Sequence, residues 1–263
     1  DNMHGLNTYD YGARQYNPVT ARWDRMDPLA EKYSGISPYA YCVNNPLKYI
    51  DPNGEKPTAA EAARMAAHIY GDKKDNILIG GWKKSSDNLG LDLKNTAGLK
   101  SAIYVRTDAK GNALEYAYVT AGTEDWADVV ADIAQPFGLS KQYSNSTDNA
   151  TDIVEEVKGM ELTFVGHSLG GGEAALNALV TDRAAITFNP AGVSVATKIK
   201  EGGLTTPFKS ESKIDTYIML TDPLNKLQDK LPIPKANGNR HYLTPKNLSS
   251  VYNGHSMDSI LRS

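Results

Sequence analysis

Gly166-His167-Ser168-Leu169-Gly170 sets a serine between glycines two positions before it and two after it. A serine hydroxyl is a weak nucleophile until a base takes its proton, and a carboxylate must orient that base. The G-x-S-x-G spacing belongs to a strained strand-to-helix turn, where a side chain at either glycine would collide with the neighbouring strand or helix. Five residues alone are a weak signal, but the flanks strengthen it. Glu161-Leu162-Thr163-Phe164-Val165 reads as a buried strand immediately before, and the run from Glu173 to Val180 reads as a helix immediately after. The serine then projects at a helix N-terminus, where free N–H groups favour developing negative charge. A phosphate-binding glycine loop is the competing reading of Gly170-Gly171-Gly172, and no lysine follows in that register.

A base and an acid must follow in the chain order Ser, Asp/Glu, His. Only His241 and His255 lie after Ser168. His4, His68 and His167 read as structural or surface residues, with His167 pointing away within the turn. His255 lies in the loop Tyr252-Asn253-Gly254-His255-Ser256-Met257-Asp258, which opens a last short helix. His241 lies in Asn239-Arg240-His241-Tyr242-Leu243, a strand start. A base works best from a loop above the sheet, so His255 is preferred and His241 is the alternative. Asp222 follows the strand run Ile214–Leu220, at the C-terminal edge where open α/β sheets gather functional groups, and reads as the acid or else as a turn residue before Pro223. Asp215 is at the wrong end of that strand, Asp229 reads as solvated, and Asp258 reads as a helix-cap partner too close to His255. Oxyanion donors are expected from the Leu169 N–H and from Thr123, whose N–H and hydroxyl both qualify. Thr123 also fits an ordinary helix N-cap.

Around these residues the pattern alternates strands with helices. Thr58 and Glu61 form a capping box opening an alanine-rich helix that Gly71 stops. Residues 101–121 read as a hairpin, 125–133 as an amphipathic helix, and about 147–158 as a second helix. Strands are expected at 185–188 and 214–220. This is an α/β class, with a mostly parallel central sheet flanked by helices.

With these motifs in order, residues 58–263 resemble the class 3 lipase family of α/β-hydrolases. The resemblance rests on Ala121-Gly122-Thr123, Trp126-Ala127-Asp128, Gly166–Gly171, Asp222-Pro223 and His255. Thr120 and Ala121 depart from the aromatic and arginine common in that family before the Gly-Thr pair. The resemblance implies a catalytic set Ser168, Asp222 and His255, with Thr123 and Leu169 at the oxyanion. It further implies hydrolysis of acyl esters of glycerolipids or phospholipids, with no metal and no cofactor. A lid over residues 136–149 is a further expectation, carried by Phe137, Leu139 and Tyr143. The same triad would serve a small-ester hydrolase or a thioesterase, and an inert interaction module on a hydrolase fold is a third reading.

The N-terminal residues are of another kind. Of 15 tyrosines, against only 4 phenylalanines, seven fall before residue 50, in short runs closed by Asn-Pro, Asp-Pro and Ser-Pro turns. The stretch from Tyr9 to Gly54 resembles the core segment associated with RHS repeats, which in large bacterial Rhs proteins precedes a variable effector. Asp51-Pro52-Asn53-Gly54 fits the cleavage pattern of such proteins, while Asp27-Pro28-Leu29-Ala30 lacks the glycine; plain turns are the other reading of both. The expected domains are therefore an Rhs-like segment over 1–56 and a hydrolase over 57–263. The resemblance implies a toxin delivered by a parent Rhs shell, with a cognate immunity protein.

The net charge of −3 lacks the basic footprint of a nucleic-acid binder. The single cysteine, Cys42, makes no internal disulfide. No apolar run approaches the ~18 residues of a transmembrane helix. The start shows neither a signal peptide nor an initiator methionine, as expected of a piece of something longer.

Overall fold

Leu162, Phe164 and Val165 are all fully buried, and the strand that carries them is the central one of a seven-stranded sheet. The structure, a computed structural model, describes residues 9–10, 15–17, 20, 22–26, 57–71, 77–108, 110–122, 139–202, 211–247 and 251–263. The chain forms two units, one of residues 1–60 with 107–112, the other of 61–106 with 113–263.

In the first unit, β1 (Tyr9–Asp10), β2 (Gln15–Asn17) and β3 (Arg22–Trp23) make a three-stranded antiparallel sheet. The turn 108–112 closes through Asp108, whose carboxylate accepts from the Lys110 and Asn112 backbone N–H groups, each at 2.8 Å.

The second unit holds α1 (Ala59–His68, most of its length), β4 (Trp82–Lys84), β5 (Ser101–Thr107) and β6 (Ala113–Thr120). Then come α2 (Leu139–Glu156), β7 (Glu161–His167), α3 (Leu169–Thr181), β8 (Ala184–Phe188) and α4 (Val195–Lys200). β9 (Ile214–Met219), α5 (Pro223–Lys230), β10 (Asn239–Leu243) and α6 (Met257–Leu261) complete it. The sheet order is β10-β9-β8-β7-β6-β5-β4, with β6 to β10 parallel and β4 antiparallel to β5. The five-residue connection between neighbours β5 and β6 makes a hairpin, because a parallel pair needs a crossover of a dozen or more residues. This is the α/β class, with a mostly parallel central sheet flanked by helices, expected from the alternation of strands and helices.

α3 packs on β6, β7 and β8, and α2 packs on α3. Their shared core holds Tyr118, Ile153, Leu162, Phe164, Ala175 and Leu179, with the Tyr118 and Phe164 rings edge to face at 6.2 Å. Burying apolar surface at about 25 cal/mol per Å² makes this layer the rigid base of the strand ends above it.

Two expectations change. α2 begins at Leu139, well before residue 147, and so takes up most of the stretch expected to form a lid. Tyr143, expected to face lipid, is 5% exposed and packs with Leu169 and Leu176. The Ser144–Asn149 run is poor in helix formers, but tertiary bonds offset that. Asn149 donates to the Tyr118 hydroxyl at 3.1 Å and to the Asp92 carbonyl at 2.8 Å, and the Ser144 hydroxyl donates to Glu201 at 2.7 Å. The expected helix at 125–133, Thr123, Trp126, Phe137, His4, Cys42 and both Asp-Pro sites lie outside the described residues. Among the described residues no helix is long and apolar enough to cross a membrane.

Candidate active site

Strand β7 must end and helix α3 begin within one residue, and Ser168 makes the turn at φ 58° and ψ −127°. A non-glycine residue there stores about 1–3 kcal/mol of strain and persists only where its surroundings enforce it. Here they do. The Ser168 N–H donates to the Phe188 carbonyl at 3.0 Å, and the Ser168 carbonyl accepts from Gly171 at 3.0 Å and Ala191 at 2.9 Å. The glycines are required by contact. A Cβ on Gly166 would stand 2.1 Å from the Gly170 carbonyl oxygen, and one on Gly170 would stand 2.4 Å from that of Thr120. The Thr120 hydroxyl, on the adjacent strand, donates to the Gly170 carbonyl at 2.6 Å.

Parallel pairing brings the end of β9 toward the same edge, and the loop before α6 comes over it. Ser168 Oγ and His255 Nε2 are 2.8 Å apart, and His255 Nδ1 and Asp222 Oδ1 are 2.6 Å apart. A carboxylate only accepts, so the Nδ1 hydrogen points at Asp222. Nε2 is then the acceptor for the serine O–H. The other Asp222 oxygen caps α5, accepting the Asn225 backbone N–H at 2.8 Å and its side-chain amide at 2.7 Å. One fully buried carboxylate thus fixes a helix and the imidazole together. The His255 loop comes close enough here that a Cβ on Gly254 would stand 2.3 Å from Thr221 Oγ1.

His167 does not simply point away, as the sequence led us to expect. It is buried beneath the His255 loop, its ring centroid 5.0 Å from that of His255, and Nε2 lies 2.6 Å from the His255 carbonyl oxygen. Burial and the neighbouring His255 push its pKa down to about 3, so the ring stays neutral. Asn189, just past β8 at φ 42°, was not foreseen at all. Its amide donates to the Gly254 carbonyl at 2.8 Å and the His255 carbonyl at 3.2 Å, while its oxygen accepts from the Met219 N–H at 2.8 Å. The His255 loop is therefore held from the ends of β7, β8 and β9 at once. An asparagine next to a strand end, in a residue type that tolerates positive φ, is the only sequence signal that could have flagged it.

Leu169 opens α3, and its N–H belongs to the first helical turn, which has no intrahelical acceptor. A Cβ on Gly122 would stand 2.8 Å from Ser168 Cβ and 3.0 Å from the Leu169 nitrogen, so this backbone lies directly against the serine. Glu173, also unforeseen, is fully buried in α3, and burial pushes its carboxyl well above the ordinary value.

His241, the other histidine expected as a base, sits elsewhere. His241 is on β10, three strands from β7, a separation of roughly 14 Å. It bonds Asp215 at 3.1 Å and stacks on Tyr217 at 4.8 Å. Asp229 is half-exposed and pairs with Arg240 at 2.9 Å. Ser256, and not Asp258, is the N-cap of α6, accepting from the Ser259 N–H. Among the described residues no three His, Cys, Asp or Glu side chains gather as a metal site would need.

A family model described as "Phospholipase-like: Tle-like phospholipase domain" matches residues 61–257, from within α1 to the first residue of α6. The chain belongs to this phospholipase-like family. The matched span includes Ser168, Asp222 and His255. "Extracellular phospholipase A1" from Serratia liquefaciens is 38% identical over 98 residues, 37% of this chain and 29% of that protein. "Salivary gland surface protein 1" of Aedes aegypti is 47% identical over 47 residues, 18% of this chain and 1% of its own length. The match thus spans under a third of either curated relative. Among solved structures, a Rhizomucor miehei lipase propeptide complex aligns over 90% of this chain and 74% of its own, at 13% identity and a TM-score of 0.47. A Penicillium expansum triacylglycerol lipase aligns over 70% and 78%, at 13% identity and a TM-score of 0.42.

Proposed function

We propose that the phospholipase-like domain is a serine-dependent carboxylic ester hydrolase that removes acyl chains from membrane glycerophospholipids. The observation that carries the reading is the unbroken chain Ser168–His255–Asp222, with contacts of 2.8 and 2.6 Å, on a strained strand-to-helix turn. Ser168 Oγ attacks the ester carbonyl carbon as its proton passes to His255 Nε2, and Asp222 holds the imidazolium that forms. The oxyanion accepts from the Leu169 N–H and from Thr123. His255 returns the proton to the departing alcohol, and water then cleaves the acyl-serine by the same route.

Membrane lipid as the substrate is supported by the family and by the name of the Serratia relative. Two exposed apolar residues support it further: Tyr252 and Val251, 86% and 45% exposed, stand three and four residues before His255. In this proposal residues 1–56 are an Rhs-like segment and 57–263 the effector, secreted or delivered into a target cell by a bacterial Rhs protein. A cognate immunity protein would guard the producer.

Fatty-acid release from phospholipid vesicles, beside turnover of a soluble short-chain ester, tests the reading. Wild type is expected to act on both and Ser168→Ala on neither. Full ester turnover by Ser168→Ala overturns the serine mechanism. Turnover of the soluble ester or a thioester without vesicle hydrolysis overturns the lipid substrate, and absence of fluorophosphonate labelling at Ser168 favours an inert module.

A further inference from the structure

The geometry points to a hydrogen-bonded relay, Gly122–Tyr70–His167–His255, in which Tyr70 and His167 are positioning residues that tie the backbone beside the serine to the backbone of the base. It rests on the triad proposed above and goes beyond it. The Gly122 N–H donates to the Tyr70 hydroxyl oxygen at 2.9 Å, that hydroxyl lies 2.8 Å from His167 Nδ1, and His167 Nε2 lies 2.6 Å from the His255 carbonyl oxygen.

Every link has one permitted direction. A carbonyl oxygen only accepts, so His167 Nε2 carries the ring hydrogen. Nδ1 of a neutral ring is then an acceptor, so Tyr70 donates to it. The Tyr70 oxygen is left to accept from Gly122. Its burial keeps His167 neutral, so no second ring proton arrives to reverse the sequence. Remove the Tyr70 hydroxyl and His167 Nδ1 loses its donor while the Gly122 N–H loses its acceptor, so the ring keeps only its bond to the His255 carbonyl. The two ends of the relay matter equally. Gly122 lies against Ser168 and the Leu169 nitrogen, and precedes Thr123 in the chain; His255 meets Ser168 from the other side.

Tyr70 is held for this task. α1 ends in a turn where Tyr70 N–H donates to the Ala67 carbonyl at 3.3 Å, and Gly71 breaks the helix at φ 147°. One turn back, His68 Nδ1 meets the Tyr104 hydroxyl at 2.9 Å, fixing the helix end to β5. The Lys100 ammonium lies 5.6 Å from the Tyr70 ring centroid, and the Lys100 carbonyl accepts the Ala121 N–H at 2.9 Å. The first helix of the domain thereby reaches both walls of the site without touching a reacting atom.

The test is a double-mutant cycle on the full chain with a soluble ester, reading kcat and KM with the thermal unfolding midpoint. Tyr70→Phe deletes one oxygen and is expected to lower kcat about tenfold with KM within about twofold, since sub-ångström misplacement of a catalytic group acts on the transition state. In His167→Gln the amide N–H can still reach the His255 carbonyl, and no ring nitrogen is left for Tyr70 to hold. Adding Tyr70→Phe to that background is expected to cost less than about threefold. An equal loss in both backgrounds, or an unchanged kcat in Tyr70→Phe, overturns the relay. If the glutamine variant does not fold, the low-field proton resonance of His255 Nδ1–H in Tyr70→Phe decides: displaced or broadened supports the relay, unchanged overturns it. Ser168→Ala separates the two ideas. If it is inactive while Tyr70→Phe is fully active, the relay alone fails; if it is active, the triad itself fails.

Discussion

The turn carrying Ser168 and the loop carrying His255 face each other across 2.8 Å, yet they are fixed by opposite means. The turn is held by backbone. Its carbonyls and N–H groups pair with the ends of β8 and with α3, and glycines let the strands close over it to distances no Cβ would allow. The loop is held by side chains drawn from three separate places, namely His167, Asn189 and Asp222, with Tyr70 bonded behind His167. A nucleophile needs one strained conformation, which a contiguous motif can encode. A base must meet that nucleophile from a distant part of the chain, and its position is only as firm as the side chains that hold it.

Ser168→Ala should produce the largest change, up to about 10⁶-fold in kcat, since the triad acts as a unit; residual turnover near wild type would end the argument. Gly166→Ala forces a Cβ to 2.1 Å from the Gly170 carbonyl oxygen and should cost about 3 kcal/mol or more of folding stability. Denaturant unfolding checks it, and a fold of unchanged stability would deny that the turn is backbone-locked. Asn189→Ala should instead lower kcat roughly tenfold and stability by about 1–3 kcal/mol, because the Met219 N–H and the Gly254 and His255 carbonyls lose their partner. A loss of stability with kcat intact would show that the clamp is not a positioning device.

Titration sharpens the same contrast. His167 is packed against Tyr70 and His255, with Asp222 beyond, and its pKa in the folded protein is about 3 against an ordinary 6.5. Between those values the unfolded chain binds the extra proton and the folded one does not, so stability falls as pH drops from 6.5 toward 3. At ~1.4 kcal/mol per pH unit, the loss attributable to His167 is about 2 kcal/mol between pH 6.5 and 5. Glu115, pushed up to about 7 by burial against the pull of Arg106, works in the opposite sense, its contribution present at low pH and lost as pH rises through 7. The difference between wild type and His167→Gln isolates the histidine; parallel curves would refute the assignment. The smallest effect belongs to His241→Ala on the sheet edge. An exposed pair with Asp215 is worth at most about 1 kcal/mol, and ester turnover should be unchanged. A collapse of turnover would reinstate His241 as the base.

The chain's own pattern was enough to place β7, α3 and the strand before Asp222, and to single out Ser168, Asp222 and His255, which the fold brings together, because strand periodicity, glycine spacing and chain order are read along the sequence itself. It also separated the tyrosine-rich N-terminal residues from the rest by composition. It was wrong about residues 139–149, where a polar run of weak helix formers is kept helical by Asn149, Ser144 and Tyr143 meeting partners far along the chain. His167, Asn189 and Tyr70 could not be assigned from sequence for a related reason. A histidine inside a strand, an asparagine after one and a tyrosine ending a helix each satisfy an ordinary local rule. Only when parallel pairing sets β7, β8 and β9 side by side do their ends converge on His255, two of them on its carbonyl and the third on its ring. Sequence by itself determined the chemistry on offer, since side-chain type and spacing are local. The tertiary structure decided which histidine lies beside Ser168 and what holds it, because those contacts join residues as many as 97 positions apart.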